Sequence, residues 1–268
     1  MPSEPPSSLD LAIVGALLAG TSLVDVRLVE ETASTNADAA AHLGESPGRT
    51  IVAELQTAGI GRTGRTWHAP RSSSLLFTTL LPQAIAAGNL WAVTFWTALA
   101  VAEGVERACG IHVDLKWPND LLLERRKLCG ILCISRVSGD RAWVGCGVGL
   151  NVHRPADAEA IAAIEPAPAF LSDLAPQTDR SRLLGEILLA FERMLPLLTQ
   201  PSTVAQAWDV RAQIDGTPYR LKLDRDGSIV QGIARGLGRD GALRIATSDG
   251  GEVEIQLADA HVLPSSIA

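Results

Sequence analysis

The chain has 268 residues, 47% hydrophobic and 20% charged. That is the balance of an ordinary globular protein, long enough to build a core without disulfides. Its formal net charge is −7 and no basic run is longer than Arg125-Arg126-Lys127, which argues against a nucleic-acid partner, because binding along that backbone needs a positive patch to displace counterions.

In chain order, residues 1–8 are rich in Pro and Ser and are expected to be disordered. The apolar run 11–19 has no Lys or Arg before it and is too short to span a bilayer. It reads as a short packed helix, with no membrane anchor. Residues 24–29 alternate as a strand, and Ser34-Thr35-Asn36 opens a capped helix. A strand over 50–56, a Gly- and Arg-rich loop over 59–67 and a strand over 74–81 follow. Leu90–Cys109 is apolar on most faces and reads as a deeply packed helix.

Four short β-type runs come next, at 113–117, 120–123, 128–135 and 142–151, broken by Pro118-Asn119, Arg125-Arg126 and Ser138-Gly139. Residues 154–170, rich in Ala and Pro, read as a connecting segment. The spacing of Leu183, Leu184, Ile187, Leu188 and Phe191 predicts a helix over 179–199. From Gly216 the pattern alternates between turn signals at Asp226-Gly227, Asp240-Gly241 and Gly250-Gly251, as in a small β-barrel. The whole reads as an α+β fold with an N-terminal tail and short helix (1–23), a main domain (24–214) and a C-terminal barrel (215–268). Cys109, Cys129, Cys133 and Cys146 form no CxxC pair and have apolar neighbours. They read as reduced core residues of a cytoplasmic protein.

Gly59-x-Gly61-x-x-Gly64 matches the dinucleotide fingerprint, but residues 65–70 do not start a helix and no carboxylate follows Gly64 until Glu103. Apart from that template, the loop brings Arg62 and Arg65, whose forks suit phosphate or carboxylate, close to an anion; a surface loop with solvated charges is the plain alternative. Lys116-Trp117-Pro118-Asn119-Asp120 sets opposite charges on the two sides of a tight corner. Asp120 there could help hold phosphate-bound Mg²⁺, or it could form a structural ion pair. Lys127 opens a buried strand, either as a functional cation or as a snorkelling edge lysine. Gly145, Gly147 and Gly149 alternate along a strand, the mark of close approach by a ligand or of tight packing.

Taken together, Ser34-Thr35-Asn36, Gln56 to Gly59, Gly61-Arg62-x-Gly64-Arg65-x-Trp67, Lys116 to Asp120, Lys127-Leu128-x-Gly130-Ile131-Leu132 and Gly147-x-Gly149-x-Asn151 resemble the successive motifs of the biotin protein ligases. The resemblance covers about residues 25–260. It implies the mixed sheet with flanking helices shared with lipoate ligases and class II aminoacyl-tRNA synthetases, followed by an SH3-like barrel. It also implies a reaction in which biotin and ATP form biotinyl-5′-AMP, with Mg²⁺ as cofactor, and the biotinyl group passes to a lysine of a biotin carboxyl carrier protein.

By the same resemblance, Ser34, Thr35, Asn36 and Gln56 hold the biotin head. Gly59, Gly61, Arg62 and Arg65 belong to the loop over the adenylate, and Trp67 and Asn151 lie at the purine. Lys127 meets the biotin carboxylate and the attacked phosphate, with Lys116 as a further catalytic cation. Asn119 and Asp120 organise the nucleotide and its metal, and Gly130 and Gly149 border it. Such chemistry needs cations where two anions meet, and no enzyme nucleophile.

Two departures stand out. The family usually has Arg where Ile60 stands. Only about 23 residues precede the first strand, too few for the helix-turn-helix of relatives that act as repressors, so a purely enzymatic form is expected. The alternatives are a lipoate or octanoate ligase, and a non-catalytic sensor of biotin or nucleotide.

Overall fold

The computed structural model describes residues 8–157, 161, 164–257 and 260–263. Of the tail expected to be disordered, only Ser8 lies among them. It is anchored, its hydroxyl donating to Glu54 Oε1 at 3.2 Å. Helix α1 (Leu11–Leu17) starts at Asp10, whose carboxylate accepts from the Ala12 N–H and so satisfies one of the free donors of the first turn.

The main sheet takes its strands from β1 (Val26–Val29), β2 (Thr50–Ala53), β3 (Ser74–Leu80), β4 (Ile85–Ala86), β5 (Asp114–Lys116), β6 (Asp120–Leu123), β7 (Arg126–Ser138) and β8 (Arg141–Asn151). Their order is β1-β2-β3-β8-β7-β6-β5, with β4 pairing on β8. β1 and β2 run parallel and every other pair is antiparallel, so the sheet is mixed, as expected.

Alternation along β3 sorts the two faces. Phe77 turns toward Phe191 of helix α4 (Arg180–Met194), with ring centroids 6.4 Å apart, while Thr78 turns toward helix α2 (Thr35–Ala40). Helix α3 (Leu90–Cys109) lies on the Phe77 side, where Trp96 meets Phe191 at 4.8 Å. Among the described residues no helix is long and apolar enough to cross a membrane.

The helix expected over 179–199 ends at Met194 and continues as a 3₁₀ turn over Leu195–Thr199. Pro196 has no N–H to donate to the Glu192 carbonyl, so the α-helical ladder cannot continue. Helix α5 (Pro201–Ala212) was not expected; it buries only Val204, Ala205 and Trp208 and carries a weak apolar stripe. Between the faces, Arg180 and Glu54 form a fully buried ion pair at 2.8 Å. Burial raises the Glu54 carboxyl's pKa, but bonds from Arg180, the Leu9 N–H and Ser72 outweigh it and leave the pKa below its ordinary value.

The C-terminal region forms a second, five-stranded antiparallel sheet from β9 (Pro218–Leu223), β10 (Ile229–Leu237), β11 (Leu243–Thr247), β12 (Glu252–Ile255) and β13 (Ala260–Val262). Three of its turns carry the expected glycines at positive φ, namely Gly227, Gly241 and Gly250. The apolar core is continuous between the sheets. Trp117, fully buried, meets Tyr219 of β9 edge to face, with centroids 6.4 Å apart at 88°.

Candidate active site

Of the residues proposed from the sequence to contact substrates, all but Gly59 line one cleft of about 1620 Å³ between the sheet, the 59–67 loop and the start of the C-terminal sheet. Its floor is built at the start of α2. Ser34 occupies the N-cap position, yet its hydroxyl does not cap the helix, contrary to the expectation. Gln56 Oε1 accepts from both the N–H (2.8 Å) and the hydroxyl (3.0 Å) of Thr35. Asn36 Nδ2 donates to the Leu132 carbonyl at 3.0 Å. Ser34 and Thr35 are buried, and these bonds fix Thr35, Asn36 and Gln56 before any ligand arrives.

The glycines of β7 and β8 make room for this floor and for the wall beside it. A Cβ on Gly147 would stand 2.3 Å from Asn36 Oδ1, so only glycine admits that side chain. Gly130 and Gly149 face each other across β7 and β8, and Trp67 lies on this bare platform. A Cβ would meet its ring at 3.0 Å from Gly130 and at 2.6 Å from Gly149. At these positions the structure shows tight packing, the close approach being made by Asn36 and Trp67, side chains of the cleft itself. Gly59, below the surface, leaves room for Gln56 Nε2 and the Trp67 carbonyl.

Lys127 lines the same cleft. Its ammonium is 2.7 Å from Asp120 Oδ1 and 5.6 Å from the Trp67 ring centroid. Lys116 and Asp120 are direct partners across the β5–β6 corner, as the motif suggested, but the ion pair of Asp120 goes to Lys127. Lys116 is half-buried, lines the cleft and takes part in no ion pair among the described residues. Asn119 locks the corner to β7, its Nδ2 donating to the Ile131 carbonyl at 2.7 Å while its own carbonyl accepts from the Ile131 N–H at 3.0 Å. Asn151 is buried in the far wall. Its Nδ2 donates to the Ala169 carbonyl at 3.1 Å, and the Ala169 N–H donates to the Lys127 carbonyl at 2.8 Å. Residues 164–168 thus border the cleft, a role the sequence reading of 154–170 as a connector missed.

The Gly- and Arg-rich loop folds as a small hairpin closed by the Ile60–Thr66 bridge, with Thr63 and Gly64 at positive φ. Arg62 does not face the floor. Its guanidinium donates to the carbonyls of Leu257 (2.5 Å) and Ala260 (3.3 Å), at the edge of the C-terminal sheet. Burial pulls its pKa down from the ordinary value, against the fields of Asp120 and Asp224. Arg65 lines the cleft from an exposed position, and Ile60 is 58% exposed.

The four cysteines carry free thiols outside this cleft, and burial raises those of Cys109 and Cys129. Among the described residues no cluster of three or more His, Cys, Asp or Glu side chains could cage a metal ion. Asp114, Asp120 and Glu165 are the carboxylates that line the cleft, and a magnesium ion carried on phosphates would need only one or two of them.

Comparison with known proteins agrees with this arrangement. The sequence profile of the Biotin/lipoate A/B protein ligase family matches residues 27–151. The Bifunctional ligase/repressor BirA of Bacillus spizizenii is 32% identical over 206 residues, a match covering 76% of this chain and 63% of that protein. The chain thus spans less than two thirds of that relative's length. The Biotin–[acetyl-CoA-carboxylase] ligase of Paracoccus denitrificans is 32% identical over 238 residues, covering 84% of this chain and 96% of that one. The fold is that of the Aquifex aeolicus biotin protein ligase solved with biotin and ATP, with a TM-score of 0.72 at 24% identity over 90% of this chain and 99% of that chain. On sequence and fold together, the chain belongs to the biotin protein ligases of the biotin/lipoate A/B protein ligase family.

Proposed function

We propose that this protein joins biotin to AMP at the expense of ATP and transfers the biotinyl group to a lysine of a biotin carboxyl carrier protein. The observation that carries the reading is Lys127, paired with Asp120 and set over Trp67, in the same cleft as the polar floor and Asn151. A carboxylate attacking the α-phosphate of ATP brings two anions together, and a cation held at that point offsets their repulsion as charge builds up. Lys127 takes this role, with Lys116 as a second cation. The floor of Ser34, Thr35, Asn36 and Gln56 receives the ureido head, which presents donors and an acceptor.

Trp67 and Asn151 border the adenylate, and Asn119 and Asp120 orient the nucleotide. Mg²⁺ carried on the phosphates would be held at Asp120 and would neutralise phosphate charge. The loop bearing Gly61, Arg62 and Arg65 shields the mixed anhydride from water until the acceptor amine arrives. We read residues 24–214 as the catalytic unit and residues 215–268 as an SH3-like barrel that supports this loop, a reading favoured by the Arg62 contacts. The free thiols suit the reducing cytoplasm.

The test is ATP–pyrophosphate exchange with biotin, lipoate or octanoate, followed by transfer to a carrier domain. Exchange driven by biotin, with label appearing on the carrier lysine, is expected. Exchange driven by lipoate or octanoate would assign another acid, and binding without biotinyl-AMP would make the protein a sensor.

A further inference from the structure

Thr78 lies in β3, fully buried beneath the floor, and does not itself line the cleft. A buried hydroxyl must find partners, and those of Thr78 are the two residues that open α2. Its Oγ1 is 2.9 Å from Thr35 Oγ1 and 2.8 Å from Asn36 Oδ1. The hydroxyl proton of Thr35 goes to Gln56 Oε1, so toward Thr78 that oxygen can only accept. The Asn36 amide is turned by its bond to the Leu132 carbonyl, which leaves Oδ1 facing Thr78. One hydroxyl proton therefore serves two acceptors, and the floor holds more lone pairs than protons.

We propose that Thr78 is the positioning residue that fixes Thr35 and Asn36 as acceptors, so that the cleft takes an acid whose head donates N–H groups and disfavours one with an apolar head. The inference rests on reading the cleft as a biotin site. A ureido ring supplies the missing protons. A dithiolane or alkyl head leaves unpaired whichever acceptor the Thr78 proton does not serve, the kind of mismatch by which a hydrogen-bonding site rejects an analogue.

The experiment compares Thr78→Val, which keeps the shape but loses the hydroxyl, with Thr78→Ser, which keeps the hydroxyl but loses a methyl. The readouts are KM for biotin, KM for ATP and kcat in ATP–pyrophosphate exchange, together with biotin-over-lipoate preference and thermal melting. T78V should raise the biotin KM about 10-fold, the scale of one buried hydrogen bond, and narrow the preference. The ATP KM and kcat should stay near wild type, and T78S should restore the biotin KM. An unchanged biotin KM in T78V, a parallel rise in the ATP KM, or a T78S as impaired as T78V would overturn the role. If T78V melts early, Thr78→Ala against Thr78→Ser gives the same comparison. A wild-type protein inert toward biotin overturns the site reading itself, whereas a biotin-active wild type with an indifferent T78V overturns only the role of Thr78.

Discussion

The floor of the cleft and the loop above it are built in opposite ways. At the floor, Thr35, Asn36, Gln56 and Thr78 hold one another through short hydrogen bonds, and Gly147 lets Asn36 press against the sheet. The loop is a small hairpin with exposed residues from Thr63 to Thr66, and Arg62 is its tie to the C-terminal sheet. A prebuilt floor costs no ordering entropy when the ligand binds, which favours selective recognition. A loop held by few contacts can open for substrates and close over the intermediate. On the proposed function, selection and retention then fall to different parts of one cleft, and substitutions can separate them.

The largest effect should come from Lys127, which both regions serve. On the proposed function, Lys127→Ala removes the cation placed where biotin carboxylate and phosphate would meet, and biotinyl-AMP synthesis should fall by roughly 10²–10³-fold, the usual loss for an electrostatic donor. A well-folded variant that makes biotinyl-AMP at a near-normal rate would falsify the assignment. Next comes the floor. Gly147→Ala places a methyl group 2.3 Å from Asn36 Oδ1 and 2.6 Å from the Leu132 carbonyl, so Asn36 must leave its place. Overpacking of this kind costs about 1–3 kcal/mol, and biotin binding by calorimetry should weaken by about 10-fold or more. Unchanged affinity would mean that the floor is not prebuilt around Asn36.

Arg62→Gly is the corresponding probe of the loop. It removes two bonds to the C-terminal carbonyls, each charge-assisted but partly solvated. Synthesis should continue, while biotinyl-AMP leaves about 10-fold faster, in keeping with about one such bond lost, and labels bystander lysines. The readout is biotin on albumin added to the reaction. If albumin labelling stays at the wild-type level in an active variant, retention does not depend on Arg62. Because the bonds of Arg62 go to the C-terminal carbonyls and not to the floor, equilibrium biotin affinity should barely move.

The sequence disclosed the cleft far better than the means of holding it together. Lys116, Asp120, Lys127 and the alternating glycines were legible because turns and strand period fix where neighbouring side chains point. Thr78 was not, since a threonine in an apolar β run looks like ordinary strand filler. Its meaning depends on Thr35 and Asn36, more than forty residues away. The Glu54–Arg180 pair joins residues still further apart. Helix α5 was missed because it buries few residues and is only weakly patterned. Arg62 stands out in the sequence as a candidate cation, but its docking on the carbonyls of Leu257 and Ala260 follows from how the second sheet packs, which no local motif encodes.

Ile60 gives the smallest and sharpest test of the loop. The family usually has an arginine here, and two accounts of the replacement lead to opposite expectations. If Ile60 packed into an apolar lid, a new arginine would lose that packing and loosen the closed loop. Ile60 is 58% exposed, however, in the bridge that closes the hairpin, so there is little burial to lose. A guanidinium at this position could reach over the cleft and add one contact to phosphate or carboxylate. Because solvent reaches the site, that contact should be worth less than the about 1.5–3 kcal/mol of a shielded charged hydrogen bond. Ile60→Arg should therefore slow release of biotinyl-AMP a few-fold, mainly through the off-rate, and lower bystander labelling, the reverse of Arg62→Gly. Stopped-flow release from the two proteins decides the sign. Faster release from the arginine variant would show that Ile60 becomes buried when the loop closes, so that retention rests on apolar packing around the adenylate and not on charge.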